Sequence, residues 1–74
     1  MHIIWDKNKN ERLQQERGIC FEAVVEIILN KKELAVLENP TRDDQIYYLV
    51  KLHNYVHVVP AIIKNHEQII LKTI

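Results

Sequence analysis

Between Ile46 and Ile74 the chain holds three β-branched and aromatic runs, Ile46 to Leu52, Val56 to Ile63 and Ile69 to Ile74, parted by short polar pieces. This is the pattern of a strand meander. Side chains alternate along a strand, so Ile46, Tyr48, Val50 and Leu52 share one face while Tyr47, Leu49 and Lys51 share the other. The first set is expected to face the helices. Aligning Val56, Val58 and Ile62 with that buried face requires an odd loop, His53 to Tyr55, which sets Lys51 opposite His57. An even turn at Asn65 and His66 then sets Lys64 against Glu67 and Lys72 opposite Val59. In this register the outer face gathers Tyr47, Lys51, His57 and Lys72. Pro60 has no amide to donate, which predicts a bulge or bend there.

Upstream, Ile3, Ile4 and Trp5 suit an opening strand added to the sheet. Asp6 reads as a helix N-cap, and Lys7 to Arg17 contains no Gly, Pro or β-branched residue, which predicts a polar helix. Gly18 closes it, with Arg12 and Arg17 complementing the negative end of its dipole. The apolar side of this helix is essentially Leu13. Phe21 to Asn30 places Phe21, Val24, Val25, Ile28 and Leu29 at helical spacing and is expected to be the core helix; its β-branched content also permits a strand, and the Glu22 and Glu26 pair four apart favours the helix. Asn30, Lys31 and Lys32 mark its end. A short strand over Glu33 to Leu37 and a loop over Glu38 to Asp44 lead into the meander, because Pro40 disfavours helix before it and Asp, Asn and Thr compete for backbone partners. The expected fold is therefore α+β: an opening strand, two helices, then an antiparallel meander.

Composition narrows the class. At 74 residues and 47% hydrophobic content, residues 1–74 form a single domain close to the lower size limit for one core. No run approaches the roughly 20 apolar residues that cross a bilayer, so no membrane partner is expected. Met1 leads into a strand rather than a cationic and apolar leader, which points to the cytoplasm. Cys20 is the only cysteine; it can form no internal disulfide and reads as a small buried hydrophobe. The formal net charge is +0, so any nucleic-acid contact must come from a local patch. A Gly-rich phosphate loop, a serine nucleophile elbow and zinc-ligand spacing are all missing, so neither a metal nor a cofactor is expected. His53 and His57, about four residues at ~3.3 Å each apart on a strand, are too distant to share an ion.

Trp5-Asp6, Lys9, Gly18-Ile19 and Phe21-Glu22 form a spaced pattern that resembles the start of the BrnT family, small toxins of bacterial toxin–antitoxin pairs related in fold to the RelE and ParE type. The similar order of elements extends over almost the whole chain. The family commonly has Asn where Leu13 stands and His where Arg17 stands, and its last strand continues into a Ser-Ala-Arg-like segment and a further helix, whereas this sequence ends at Ile74. The resemblance implies a RelE-like fold and metal-independent cleavage of messenger RNA, opposed by a cognate antitoxin protein.

Such cleavage needs a group that deprotonates or orients the ribose 2′-hydroxyl, cations that stabilise the developing charge, and an acid for the leaving oxygen. From the strand register, the candidate catalytic set is His57 for proton transfer with Lys51 and Lys72 for charge. Arg42 is a candidate phosphate contact, and Tyr47 and Tyr55 are candidates for stacking on a base. An outer face carrying Tyr, Lys and His is also what any antiparallel sheet with one wet side shows. Trp5, Phe21 and Tyr48 read as core; Asp6 and Glu22 serve helix starts, and Gly18 the corner between helices. The alternative reading is a catalytically inactive, toxin-like interaction domain that uses an exposed sheet edge and its outer face. A homo-oligomeric structural domain is a third.

Overall fold

The computed structural model describes all 74 residues. Strand β1 (His2–Trp5) is followed by helices α1 (Lys7–Arg17) and α2 (Phe21–Leu29), then strands β2 (Ala35–Asn39), β3 (Arg42–Leu52), β4 (Tyr55–Lys64) and β5 (Gln68–Leu71). The fold is α+β, with one five-stranded mixed sheet in the order β1-β5-β4-β3-β2. Strands β2 to β5 form the antiparallel meander, and β1 joins β5 in parallel. The two helices carry the chain from the β1 edge to the β2 edge across one face, and that face becomes the core.

The local signals explain both helices. Asp6 accepts the Lys9 amide at 2.9 Å, satisfying one of the free donors of the first turn of α1. Gly18 ends α1 at φ 66°, the left-handed conformation that costs L side chains about 1–2 kcal/mol. Only Leu13 of α1 is buried. By contrast α2 sinks Phe21, Val24 and Ile28 into the core, where they meet Tyr48, Val50, Leu52, Val59, Ala61, Ile69 and Leu71 from the sheet. Trp5 stacks on Phe21 with ring centroids 6.0 Å apart. Arg17 donates to the Ile74 carbonyl at 2.7 Å and so ties α1 to the residues after β5.

Several sequence expectations change. Leu29, placed on the apolar stripe of the core helix, is 60% exposed at the last turn of α2. Cys20 is half-buried at the N-cap of α2 rather than deep in the core. The loop expected over Glu38 to Asp44 contracts to a turn at Pro40 and Thr41, because the Asn39 side chain accepts from both the Thr41 amide and hydroxyl at 2.9 Å and closes the turn locally. Strand β2 accordingly runs to Asn39 and β3 begins at Arg42.

The largest correction concerns β4. Leu52 pairs with Tyr55, leaving a two-residue turn at His53 and Asn54, both with positive φ, the twist-matched hairpin geometry. The turn at Asn65 and His66 forms, closed by the Glu67 amide to the Lys64 carbonyl at 3.2 Å. Glu67 is nevertheless an extra residue, and Lys64 pairs with Gln68. Each connection differs by one residue from expectation, one shorter and one longer. The faces of β3 and β5 therefore stay as expected while those of β4 reverse. Lys51 sits opposite Val56, His57 opposite Val50, and Lys72 beside Pro60, whose carbonyl accepts the Lys72 amide at 2.8 Å.

Pro60 lies inside β4 with unbroken pairing to β3. Its carbonyl points past the last paired residue of β5, so its missing donor falls where the β5 ladder has ended, and no bulge is needed. The irregularity lies instead between Glu38 and Asn39 in β2.

Candidate functional site

Because the helices cover one face of the sheet, the opposite face is open. Residues paired across strands point the same way, which assigns to the open face His2 and Ile4 of β1, Gln68 and Ile70 of β5, Val56, Val58, Pro60, Ile62 and Lys64 of β4, Gln45, Tyr47, Leu49 and Lys51 of β3, and Ala35 and Leu37 of β2. Lys72 continues this alternation beyond β5. Val56 is 58% exposed and Val58 49% exposed. The centre of the face is thus aliphatic, with lysines towards its ends.

The residues expected to form a catalytic group are divided by the reversal of β4. Lys51, Lys72 and Tyr47 lie on the open face. His57 turns to the helix side, half-buried across from Val50 and two residues from buried Val59. Tyr55, 73% exposed, lies on the same side as His57 at the hairpin end. Lys51 and His57 therefore do not share a surface. Arg42 stands at the start of β3 and pairs with Asp44, Nη2 to Oδ2 3.1 Å. That guanidinium holds the Asp44 carboxyl below its ordinary range, chiefly through the hydrogen bond. Tyr47 is half-buried, and its hydroxyl accepts from Asn39 Nδ2 at 3.2 Å, which fixes the ring beside the β2–β3 turn.

Two residues escaped the sequence reading. Asn39 organises the β2–β3 turn and holds Gln45 as well as Tyr47; an Asn before Pro is a turn signal, but not one that names its side-chain partners. Asn10 joins the two helices, accepting the Phe21 amide at 2.7 Å and donating to Glu22 at 2.6 Å. The hydrogen bond from Asn10 is the main reason that the Glu22 carboxyl is held below its ordinary range. Beside this joint an open groove of about 600 Å³ is floored by Trp5 and walled by Lys7, Asn10, Glu11, Gln14 and Glu22. Its charges are mixed and solvated, and it holds no nucleophile.

On the helix side, Tyr48 is buried, and burial together with the negative charge of Glu33 pushes its phenol above the ordinary range. One Glu33 carboxylate oxygen is buried without a hydrogen-bond partner. No helix is long and apolar enough to cross a membrane.

No protein-family model, curated protein or solved structure matches the chain. Its own residues therefore carry the functional reading.

Proposed function

We propose that the chain is a toxin-type domain of a bacterial toxin–antitoxin pair, RelE-like in fold, with messenger RNA as its target and a cognate antitoxin protein as its partner. The observation that carries this reading is the arrangement of elements. An opening strand, two helices meeting at the Gly18 corner and an antiparallel meander leave one sheet face open, and that order is the one implied by the BrnT-like spacing of Trp5-Asp6, Lys9, Gly18-Ile19 and Phe21-Glu22. Asp6 starts and Gly18 stops α1 in this arrangement, and Phe21 and Glu22 are held by Asn10.

In this reading the open face meets RNA. Lys51 and Lys72, set two strands apart and four residues out of level by the register, are point charges suited to successive phosphates of a bound strand, the one at the scissile phosphate meeting the charge that develops there. Tyr47, fixed by Asn39, offers a ring face to a base. Arg42 contributes phosphate contact only by leaving Asp44. Proton transfer by His57 at the same phosphate is not part of the proposal, because its side chain points through the opposite face. Water then takes the 2′-hydroxyl proton and water protonates the leaving 5′-oxygen, while positioning and charge stabilisation by the lysines supply the rate, without a metal.

Cleavage of a defined messenger RNA by the purified protein in excess chelator tests this directly. Cuts mapped by primer extension are expected with the natural protein, and Lys51→Ala and Lys72→Ala are each expected to slow them about a hundredfold. Undiminished cleavage by the Lys51→Ala/Lys72→Ala double variant would overturn the assignment.

A second reading, a catalytically inactive interaction domain of the same fold, is favoured by one observation. The centre of the open face is aliphatic, and no acid or base stands beside Lys51 or Lys72.

A further inference from the structure

The groove beside the α1–α2 joint takes no part in the RNA reading. It lies in the helix layer, on the other side of the sheet from Lys51 and Lys72, since Trp5 pairs with buried Leu71 and shares its face. Its walls come largely from one stripe of α1, where Lys7, Asn10, Glu11 and Gln14 recur at helical spacing, with Glu22 of α2 beside them. Core packing does not account for this stripe, because Leu13 is the one buried residue of α1.

An aromatic ring floors this polar groove. Phe21 stacks on Trp5 with ring centroids 6.0 Å apart, yet the indole is only half-buried, and it is the one hydrophobic residue among the seven in the lining. Glu22 is held in place before any ligand arrives. Asn10 donates to its Oε1 at 2.6 Å, while Asn10 itself is tied by the Phe21 amide, so the second carboxylate oxygen is a fixed acceptor. The single ion pair of the chain joins Arg42 and Asp44, which leaves Lys7, Glu11 and Glu22 around the groove without ionic partners.

This lining selects a ligand by its chemistry. An apolar compound would leave the polar walls without partners. A cation would meet Lys7, and an anion or a nucleic-acid phosphate would meet Glu11 and Glu22. A neutral polyhydroxyl compound suits every wall, because each hydroxyl both donates and accepts: Lys7, Gln14 and Gln15 donate to it, and Glu11 and Glu22 accept from it. Its apolar ring face then packs on the indole. The groove volume of about 600 Å³ falls within the roughly 300–1,000 Å³ of ligand pockets.

We infer that the groove is a saccharide-binding site, taking a neutral pyranose sugar with its C–H face on Trp5 and its hydroxyls between the α1 stripe and Glu22. The fixed Glu22 carboxylate orients the ring, since an acceptor already in place loses little freedom on binding. The inference goes beyond RNA cleavage and does not depend on it.

The test titrates the full chain with cellobiose, maltose, lactose and N,N′-diacetylchitobiose, each also as its O-methyl glycoside, and follows amide and indole N–H chemical shifts. Trp5 is the only tryptophan, so its indole N–H reports the groove floor alone. At least one sugar is expected to give saturable shifts at that indole, at the amides of Asn10 to Gln15 and at Glu22, with half-saturation below roughly 10 mM. Glu11→Ala/Gln14→Ala, at two exposed positions, should weaken binding at least about tenfold while the rest of the spectrum stays in place. Binding of the free sugar alone assigns the groove to a soluble saccharide, and equal binding of the methyl glycoside assigns it to the end of a longer glycan; both support the inference. It is overturned by no saturable shift with any of these sugars, by the same shifts from glycerol at equal hydroxyl concentration, by saturation with N-acetylarginine amide or adenosine in place of a sugar, or by undiminished binding to the double variant. No RNA cleavage is read, so failure here is distinct from failure of the proposed ribonuclease activity.

Discussion

Asn10 caps a helix to which it does not belong: its Oδ1 accepts the Phe21 amide proton at 2.7 Å from across the α1–α2 corner. The residue at the N-cap of α2 itself, Cys20, makes no side-chain capping bond, so Asn10 supplies from α1 what a Ser or Asp would supply locally. Its amide also donates to Glu22, fixing the approach of the two helices. Asn10→Ala is therefore expected to lower stability by about 1 kcal/mol and to let the Glu22 carboxyl titrate closer to its ordinary value. Denaturant melts and a carbon-detected titration of Glu22 check both effects; an unmoved Glu22 titration contradicts the bridge.

Gly18 ends α1 at φ 66°, and no heavy atom lies within 4 Å of where a Cβ would stand. Its requirement is for backbone conformation and not for space. Gly18→Ala should cost about 1 kcal/mol, and Gly18→Asn less, since Asn tolerates the left-handed region. Chemical denaturation should rank them in that order; equal losses would point to a steric cause instead.

The β3–β4 register can be read chemically. Lys51 and Val56 are the pair next to the two-residue turn, a non-hydrogen-bonded position with Cα atoms about 4.5 Å apart. In a Cys20→Ala background, Lys51→Cys/Val56→Cys should oxidise readily to a disulfide. Lys51→Cys/His57→Cys should remain reduced, because those side chains leave opposite faces. The reverse pattern would restore the register in which Lys51 and His57 are neighbours.

Burial and the Glu33 carboxylate raise the Tyr48 phenol above its ordinary value. A folded-state pKa above the unfolded one favours folding only while the phenol is protonated in the native state. That stability is present below about pH 10 and is lost as pH rises through the raised value. Melting temperature is thus expected to fall more steeply above about pH 10 than it does for Tyr48→Phe. Parallel alkaline profiles for the two proteins would remove Tyr48 as the cause.

What the sequence reveals of this fold depends on how local each determinant is. The bounds of α1 follow from Asp6 and Gly18, because a cap and a left-handed stop act within one turn. The five core positions of β3 and β5, Tyr48, Val50, Leu52, Ile69 and Leu71, follow from alternation. Strand β4 defeats alternation: with Val56, Val58 and Ile62 on one parity and Val59, Ala61 and Ile63 on the other, both faces qualify as core. Only the turn geometry at His53-Asn54 and the extra Glu67 decide between them, and each is a one-residue matter. The grouping of His57 with Lys51 rested on that choice, which is why the expected set divides between two faces. Asn10 was invisible for a different reason, since its partners are created only when α2 folds back on α1.

Controlled expression of this 74-residue chain in a bacterial host, with and without the neighbouring open reading frame, tests the toxin-type reading most directly. The account predicts growth arrest that the neighbour relieves. Unimpaired growth, with the chain soluble and folded at levels matching an inducible control toxin, would contradict it.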